Sequence, residues 1–82
     1  MQHHRVEVEI MGEKYVLKGD VHPEQIRQIA AYVDNQIRSI KNANSRLSMV
    51  KATVLATLNI TEELFKLQES YNELIKIIED EK

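Results

Sequence analysis

The chain has 82 residues, of which 43% are hydrophobic and 29% are charged, and its formal net charge is −2 at pH 7. A core this small is marginal without a disulfide, a metal or a partner subunit. Disulfides are excluded because the chain has no cysteine, which also fits a reducing compartment. The balance of acidic and basic residues disfavours nucleic acid as the ligand, because nucleic-acid binders carry a basic surface.

Other ligands and surroundings are also limited by composition. The histidines His3, His4 and His22 have no further ligands at a useful spacing, so we expect no metal and no cofactor. No apolar run reaches the ~18 residues of a membrane span, and the first residues do not form an apolar signal segment. We therefore expect a cytoplasmic protein with no membrane, nucleic-acid or small-molecule partner, stabilised by oligomerisation.

The first predicted element is a β-hairpin over residues 5–18. Residues 5–10 alternate between apolar side chains and glutamates, which is typical of a half-buried strand. Gly12 can supply the positive φ of a tight turn, and residues 15–18 offer a second strand. Because a two-stranded hairpin is marginal alone, its apolar face must pack on something.

The second element is a helix predicted from about 23 to 42. Pro23 suits the first helical turn, and Glu24 places a carboxylate near the positive end of the helix dipole. The sequence 42–45 breaks the pattern. Apolar residues recur at steps of three and four and form one apolar stripe: Ile26, Ile29, Ala30, Val33, Ile37 and Ile40.

The last element is a long helix. Ser48 is the preferred N-cap, with Ser45 as the alternative, and nothing interrupts the pattern as far as Asp80. Such a helix would be about 50 Å long, whereas a compact domain of this size has a radius of gyration of about 12–13 Å. The helix must therefore extend beyond its own domain, and the extending part needs a partner.

Heptad spacing marks that extending part. Apolar residues follow steps of four and three without a break, as in a coiled coil, and we call this set the seam: Ile60, Leu64, Leu67, Tyr71, Leu74 and Ile78. Burying one large aliphatic side chain is worth roughly 1.5–3 kcal/mol, so the seam can decide the oligomeric state. Both a dimer and a tetramer remain open, and so does the orientation of the helices.

The first half of the long helix has a broader apolar surface, with Ala52 and Ala56 between larger residues. We expect one side to contact the first helix and the hairpin, and another side to contact a second subunit. The predicted organisation is a single α+β domain of ββαα order, with a head over 1–47 and the long helix over 48–82. The predicted oligomer interface comprises Val50, Val54, Leu58, Ile60, Leu64, Leu67, Tyr71, Leu74 and Ile78.

Catalysis is not expected. No Ser/His/Asp or Cys/His set is plausible, since His22 is the one histidine away from the N-terminus. Carboxylate pairs such as Glu62–Glu63 fall on exposed helix positions, without the desolvated cleft that a general acid requires. Neither Gly12 nor Gly19 belongs to a phosphate-binding loop. The pattern indicates a binding protein that is not an enzyme.

Four segments resemble the ZapA family of bacterial cell division proteins, which bind and cross-link filaments of the tubulin-like protein FtsZ. They are Val-Glu-Ile-Met-Gly-Glu-Lys-Tyr at 8–15, two short blocks at 31–34 and 37–40 of the first helix, and Val-Leu-Ala-Thr-Leu-Asn-Ile-Thr-Glu-Glu-Leu at 54–64. The last block is the most specific, and the resemblance covers about residues 6–80.

The resemblance implies a dimeric ββαα head that engages FtsZ through charged residues. In longer members, tail-to-tail pairing gives a tetramer; this chain is similar to the shorter members. Glu13 follows Gly12 where some members carry arginine. The remaining basic candidates for FtsZ binding are Lys14, Lys18, Arg38 and Lys41, of which Lys41 matches the family best.

Two alternatives remain beside this interpretation. One is a coiled-coil adaptor of another assembly, which only the block around Leu58–Ile60 separates from the family. The other is a DNA-binding dimer of the ribbon-helix-helix type, which inserts a strand into the major groove. Glu7 and Glu9 on the first strand would repel phosphates, and the second helix is too long for that fold.

Overall fold

A computed structural model describes residues 4–80. The elements are β1 (His4–Ile10), β2 (Glu13–Gly19), α1 (Pro23–Ala43) and α2 (Met49–Asp80). The predicted fold class is confirmed, because an antiparallel hairpin is followed by two helices, the second of 32 residues.

The hairpin turn is shorter than expected from the sequence, since the predicted strands left the four residues 11–14 between them. Ile10 pairs with Glu13, which leaves a loop of two residues. Both have positive φ, 52° at Met11 and 81° at Gly12, as in the type I′ turn whose twist matches that of the strands. A Cβ on Gly12 would meet nothing within 4 Å, so the backbone conformation, and not space, favours glycine there.

The hairpin packs its apolar face on the first half of α1. Val6 and Val8 of β1 form a buried cluster with Ile26 and Ala30 of α1. This contact supplies the support that the alternating pattern required, because two strands alone do not bury enough apolar surface.

Both ends of α1 are capped by nearby residues. His22 is the N-cap, and its Nδ1 accepts a hydrogen bond from the Glu24 N–H at 3.2 Å. At the other end the Asn44 N–H donates to the Ile40 carbonyl at 3.0 Å. Within the predicted apolar stripe, Ile29 is 53% exposed, because the hairpin and α2 cover other sides of α1.

Helix α2 begins at the predicted cap and crosses α1 at its alanines. The Lys51 N–H donates to Ser48 Oγ at 3.1 Å. Ala52 and Ala56 are 0% and 1% exposed and form a second buried cluster with Ile37. The described chain measures 52 × 39 × 14 Å with a radius of gyration of 16.9 Å. It is therefore extended, as expected for a helix that runs past its packing partner.

Candidate protein-interaction surfaces

Helix α2 has two separate apolar faces. Residues in an α-helix are about 100° apart, so residues at steps of three and four share a face and residues two apart point to nearly opposite sides. The seam continues the face of Ala52 and Ala56, which α1 covers. Val50, Val54 and Leu58 lie on the other side of the helix, and we call them the second apolar face.

The nine predicted interface residues are therefore divided between these faces. Eight of them have 50–73% of their surface exposed, and Ile60 is intermediate. Ile60 borders a shallow recess with Ile29, Tyr32 and Val33 of α1, so the first residue of the seam is partly covered within the chain. Exposed apolar patches of this extent are typical of surfaces that bind another polypeptide.

An apolar cleft also lies where the hairpin meets the two helices. It has a volume of 360 Å³ and is lined by residues of all four elements. Tyr15 and Met49 at this cleft remain 47% and 43% exposed. Tyr15 and Leu17 are two residues apart on β2, so the sequence shows that they share one side of the strand. It does not show that an open cleft lies on that side.

Asp34 links the hairpin turn to α1, a role that the sequence did not reveal. Its Oδ1 accepts a hydrogen bond from the Met11 N–H at 2.6 Å, and its Oδ2 accepts one from Arg38 Nε at 2.8 Å. The backbone hydrogen bond from Met11, followed by that from Arg38, holds the pKa of Asp34 below its usual value. The Arg38 contact follows from the spacing of four residues, whereas the Met11 contact depends on the tertiary fold.

A second polar contact joins α1 to α2 farther along. The Tyr32 hydroxyl donates a hydrogen bond to the Glu63 carboxylate. This bond raises the pKa of Tyr32 above its usual value, because ionisation of the phenol would remove the donor and place two negative charges together. Helix α1 therefore contacts α2 as far as Glu63. The part of α2 that has no contact with α1 begins after Glu63, and so later than Ile60.

The four basic candidates are in different surroundings. Lys14 and Lys18 point from the exposed side of the hairpin, and Lys14 Nζ lies 3.8 Å from Glu7. Arg38 is paired with Asp34. Lys41 Nζ donates to the carbonyl oxygen of Leu47 at 2.6 Å and to that of Ser45 at 3.4 Å, so it stabilises the loop between the helices.

These four cations do not form one compact patch. The contact between Met11 and Asp34 brings the turn, and with it Lys14, to the part of α1 that carries Arg38. Lys18 is at the other end of β2. Its neighbour Gly19 lies near the start of α1, since a Cβ added to Gly19 would be 3.6 Å from the Ile26 side chain. Lys41 is about 22 Å farther along α1 than Ile26.

The part of the chain that the structure describes has neither a metal-binding cluster nor a membrane-spanning helix. Residues 4–80 contain no group of three or more potential ligand side chains arranged to hold a metal ion; His3 lies outside them. None of the described helices combines the length and the apolar character needed to cross a membrane.

A β-hairpin packed on the first of two helices, with uncovered apolar faces on the longer second helix, defines a class of small ββαα proteins. The sequence model described as "Cell division protein ZapA" matches residues 6–82. The chain belongs to the ZapA family of cell division proteins.

Relatives support that assignment over most of their length. The ZapA of Geobacillus kaustophilus is 38% identical over 78 residues, covering 95% of this chain and 86% of the relative. The ZapA of Bacillus thuringiensis is 34% identical over 70 residues, covering 85% and 79%. A solved ZapA mutant dimer from Geobacillus stearothermophilus superposes with a TM-score of 0.80 at 32% identity, covering 96% of this chain and 92% of that one.

Proposed function

We propose that this protein is a non-enzymatic cell division protein that forms dimers and binds and cross-links FtsZ filaments at the division site. The observation that carries the proposal is the uncovered apolar surface of α2 in a chain of the ZapA family. A dimer presents each charged surface twice, so one dimer can contact two filaments.

Self-association is supported by the two faces of α2. The similar solved structure is described as a dimer. In the dimer that we propose, the second apolar face is buried between the heads, where the apolar cleft provides further uncovered surface. The seam beyond Glu63 can join helices of the same dimer or of two dimers, and thereby sets how many heads act together.

Filament binding is assigned to Lys14, Lys18, Arg38 and Lys41. Their intrachain contacts do not exhaust their donors, because Arg38 uses only its Nε on Asp34 and a guanidinium carries four further N–H groups. Charge attraction of this kind weakens as salt rises.

The test is co-sedimentation with polymerised FtsZ at low and high salt, with a duplex-DNA gel shift as the control. We expect the protein to pellet with polymers, more strongly at low salt, and not to shift DNA. Simultaneous charge reversal of the four basic residues should abolish pelleting while sedimentation equilibrium still shows the dimer. Undiminished pelleting of this variant would rule out the assigned residues, and a DNA shift without pelleting would contradict the proposed function.

A further inference from the structure

The exposed side of the hairpin has an uneven distribution of charge. We call this side the outer face, and the strand register pairs its residues directly: Arg5 with Lys18, Glu7 with Val16, and Glu9 with Lys14. All six are exposed. Val16, which is 63% exposed, separates a mainly acidic end at the turn from a basic end where the strands open.

At the turn end the single lysine is neutralised. Lys14 lies opposite Glu9 and 3.8 Å from Glu7, so this end carries one positive and two negative charges. An acidic partner gains less at Lys14 than at an unpaired cation, because its carboxylates would meet Glu7 and Glu9 as well as Lys14.

The open end is different, because two cations face each other across the strands. Among residues 4–80, neither Arg5 nor Lys18 forms an ion pair. Arg5, Lys18 and Asp20 line one shallow recess between the open ends of the strands. Asp20 does not form an ion pair with either cation. Like charges directly opposite each other destabilise a strand pair, so the stability of the hairpin does not account for this arrangement.

We propose that Arg5 and Lys18 together bind an acidic segment of the partner polypeptide, and that they contribute more to binding than Arg38 and Lys41 do. This inference rests on the proposed function, in which the partner is the FtsZ filament. An arginine can hold a carboxylate through two parallel hydrogen bonds, and the neighbouring lysine adds a second donor group. Carboxylates between the two side chains remove the repulsion that the free protein carries.

The rest of the outer face limits the kind of partner. A continuous line of phosphates along the hairpin would pass from Arg5 and Lys18 to Glu7 and Glu9, where it would be repelled. A polypeptide can instead place acidic residues at the open end and neutral or basic residues toward the turn. Arg38 and Lys41, by contrast, already bind Asp34 and the loop carbonyls, so fewer of their donors remain for a partner.

The test compares Arg5→Glu with Arg46→Glu, the same charge reversal at an exposed arginine of the loop between the helices. Arg5→Glu puts opposite charges across the strands, so we expect the melting temperature of the protein to rise slightly. Co-sedimentation with polymerised FtsZ at low salt should nevertheless weaken about tenfold, with a shallower salt dependence. Arg46→Glu should stay within about twofold of the parent protein. Arg5→Lys should retain most of the binding.

Stability and binding then change in opposite directions, which a purely structural role for Arg5 would not produce. If charge reversal unfolds the hairpin, Arg5→Gln and Lys18→Gln give the same comparison by removing one charge each. Equal binding by these variants and the parent protein would overturn the site alone. Equal losses for Arg46→Glu and Arg5→Glu would also overturn it. Failure of the parent protein to bind FtsZ would overturn both this site and the proposed function.

Discussion

The carboxylate of Asp34 accepts hydrogen bonds from the Met11 N–H at 2.6 Å and from Arg38 at 2.8 Å, and 18% of its side chain is exposed. Met11 has a φ of 52°, which is unfavourable for a residue with a Cβ. The hydrogen bond from its N–H helps to hold the turn in that conformation. One side chain on α1 therefore fixes both the shape of the hairpin turn and its position.

We expect Asp34→Ala to lower the free energy of unfolding by about 1.5–3 kcal/mol near neutral pH, the range for hydrogen bonds to a charged group. Because the pKa of Asp34 is lower in the folded state than its ordinary value of 3.8, its contribution is present above that value. It is lost as the pH falls through the folded-state pKa.

Urea denaturation at fixed protein concentration, repeated at several pH values, measures this contribution. The difference between Asp34→Ala and the parent protein should shrink below about pH 4. Asp20→Ala, which changes an exposed aspartate after β2, is the matched control and should have a small effect. A difference for Asp34→Ala that stayed constant down to strongly acidic pH would contradict the proposed hydrogen bonding of the carboxylate.

At the scale of the elements, the two alanines of α2 determine how closely the helices approach. Ala52 and Ala56 are almost completely buried against Ile37, and a larger side chain there would force α1 away. The same helix face continues into the seam, where the side chains become large. The change in residue size along this face marks the change from packing within the chain to exposed apolar surface.

Ala56→Leu should lower the free energy of unfolding by about 1–3 kcal/mol, because overpacking a tight contact strains its neighbours. Ala31→Leu is the matched control, since Ala31 is exposed on α1. Circular dichroism during urea denaturation provides the measurement. Equal effects of the two substitutions would show that the alanine contact between the helices is not tight.

At the scale of the whole molecule, the uncovered faces of α2 lie on opposite sides of one helix. Leu58 on the second apolar face is 60% exposed, and Leu74 in the seam is 55% exposed. Two faces that point apart can contact two different helices at once. This arrangement supports separate roles for the head and the end of α2 in the proposed assembly.

Leu58→Asp should give a folded monomer in sedimentation equilibrium over a concentration series, because Leu58 contributes little to packing within the chain. A charge buried in the proposed dimer interface, by contrast, would be strongly unfavourable. Lys66→Asp, on a polar part of α2, is the control and should leave association unchanged. A dimer of undiminished stability in Leu58→Asp would exclude the second apolar face from the interface.

The sequence alone determined the order of elements and much of their extent. Three local patterns each indicate one type of structure. They are the alternation in residues 5–10, the turn and helix-start residues Gly12 and Pro23, and the heptad steps from Ile60 to Ile78. Ser48 was identifiable as a cap for the same reason. The stripe on α1 did not show that Ile29 is exposed, because periodicity shows which residues share a face but not how far a neighbouring element covers it.

Only the tertiary structure decided how these elements combine. The two-residue loop fixed the register that places Arg5 opposite Lys18. Packing of the turn on α1 brought the Met11 N–H to Asp34, and packing of α1 on α2 partly covered Ile60, the first residue of the seam. These features join residues far apart in the chain, so their geometry depends on pairing and packing that no local pattern encodes.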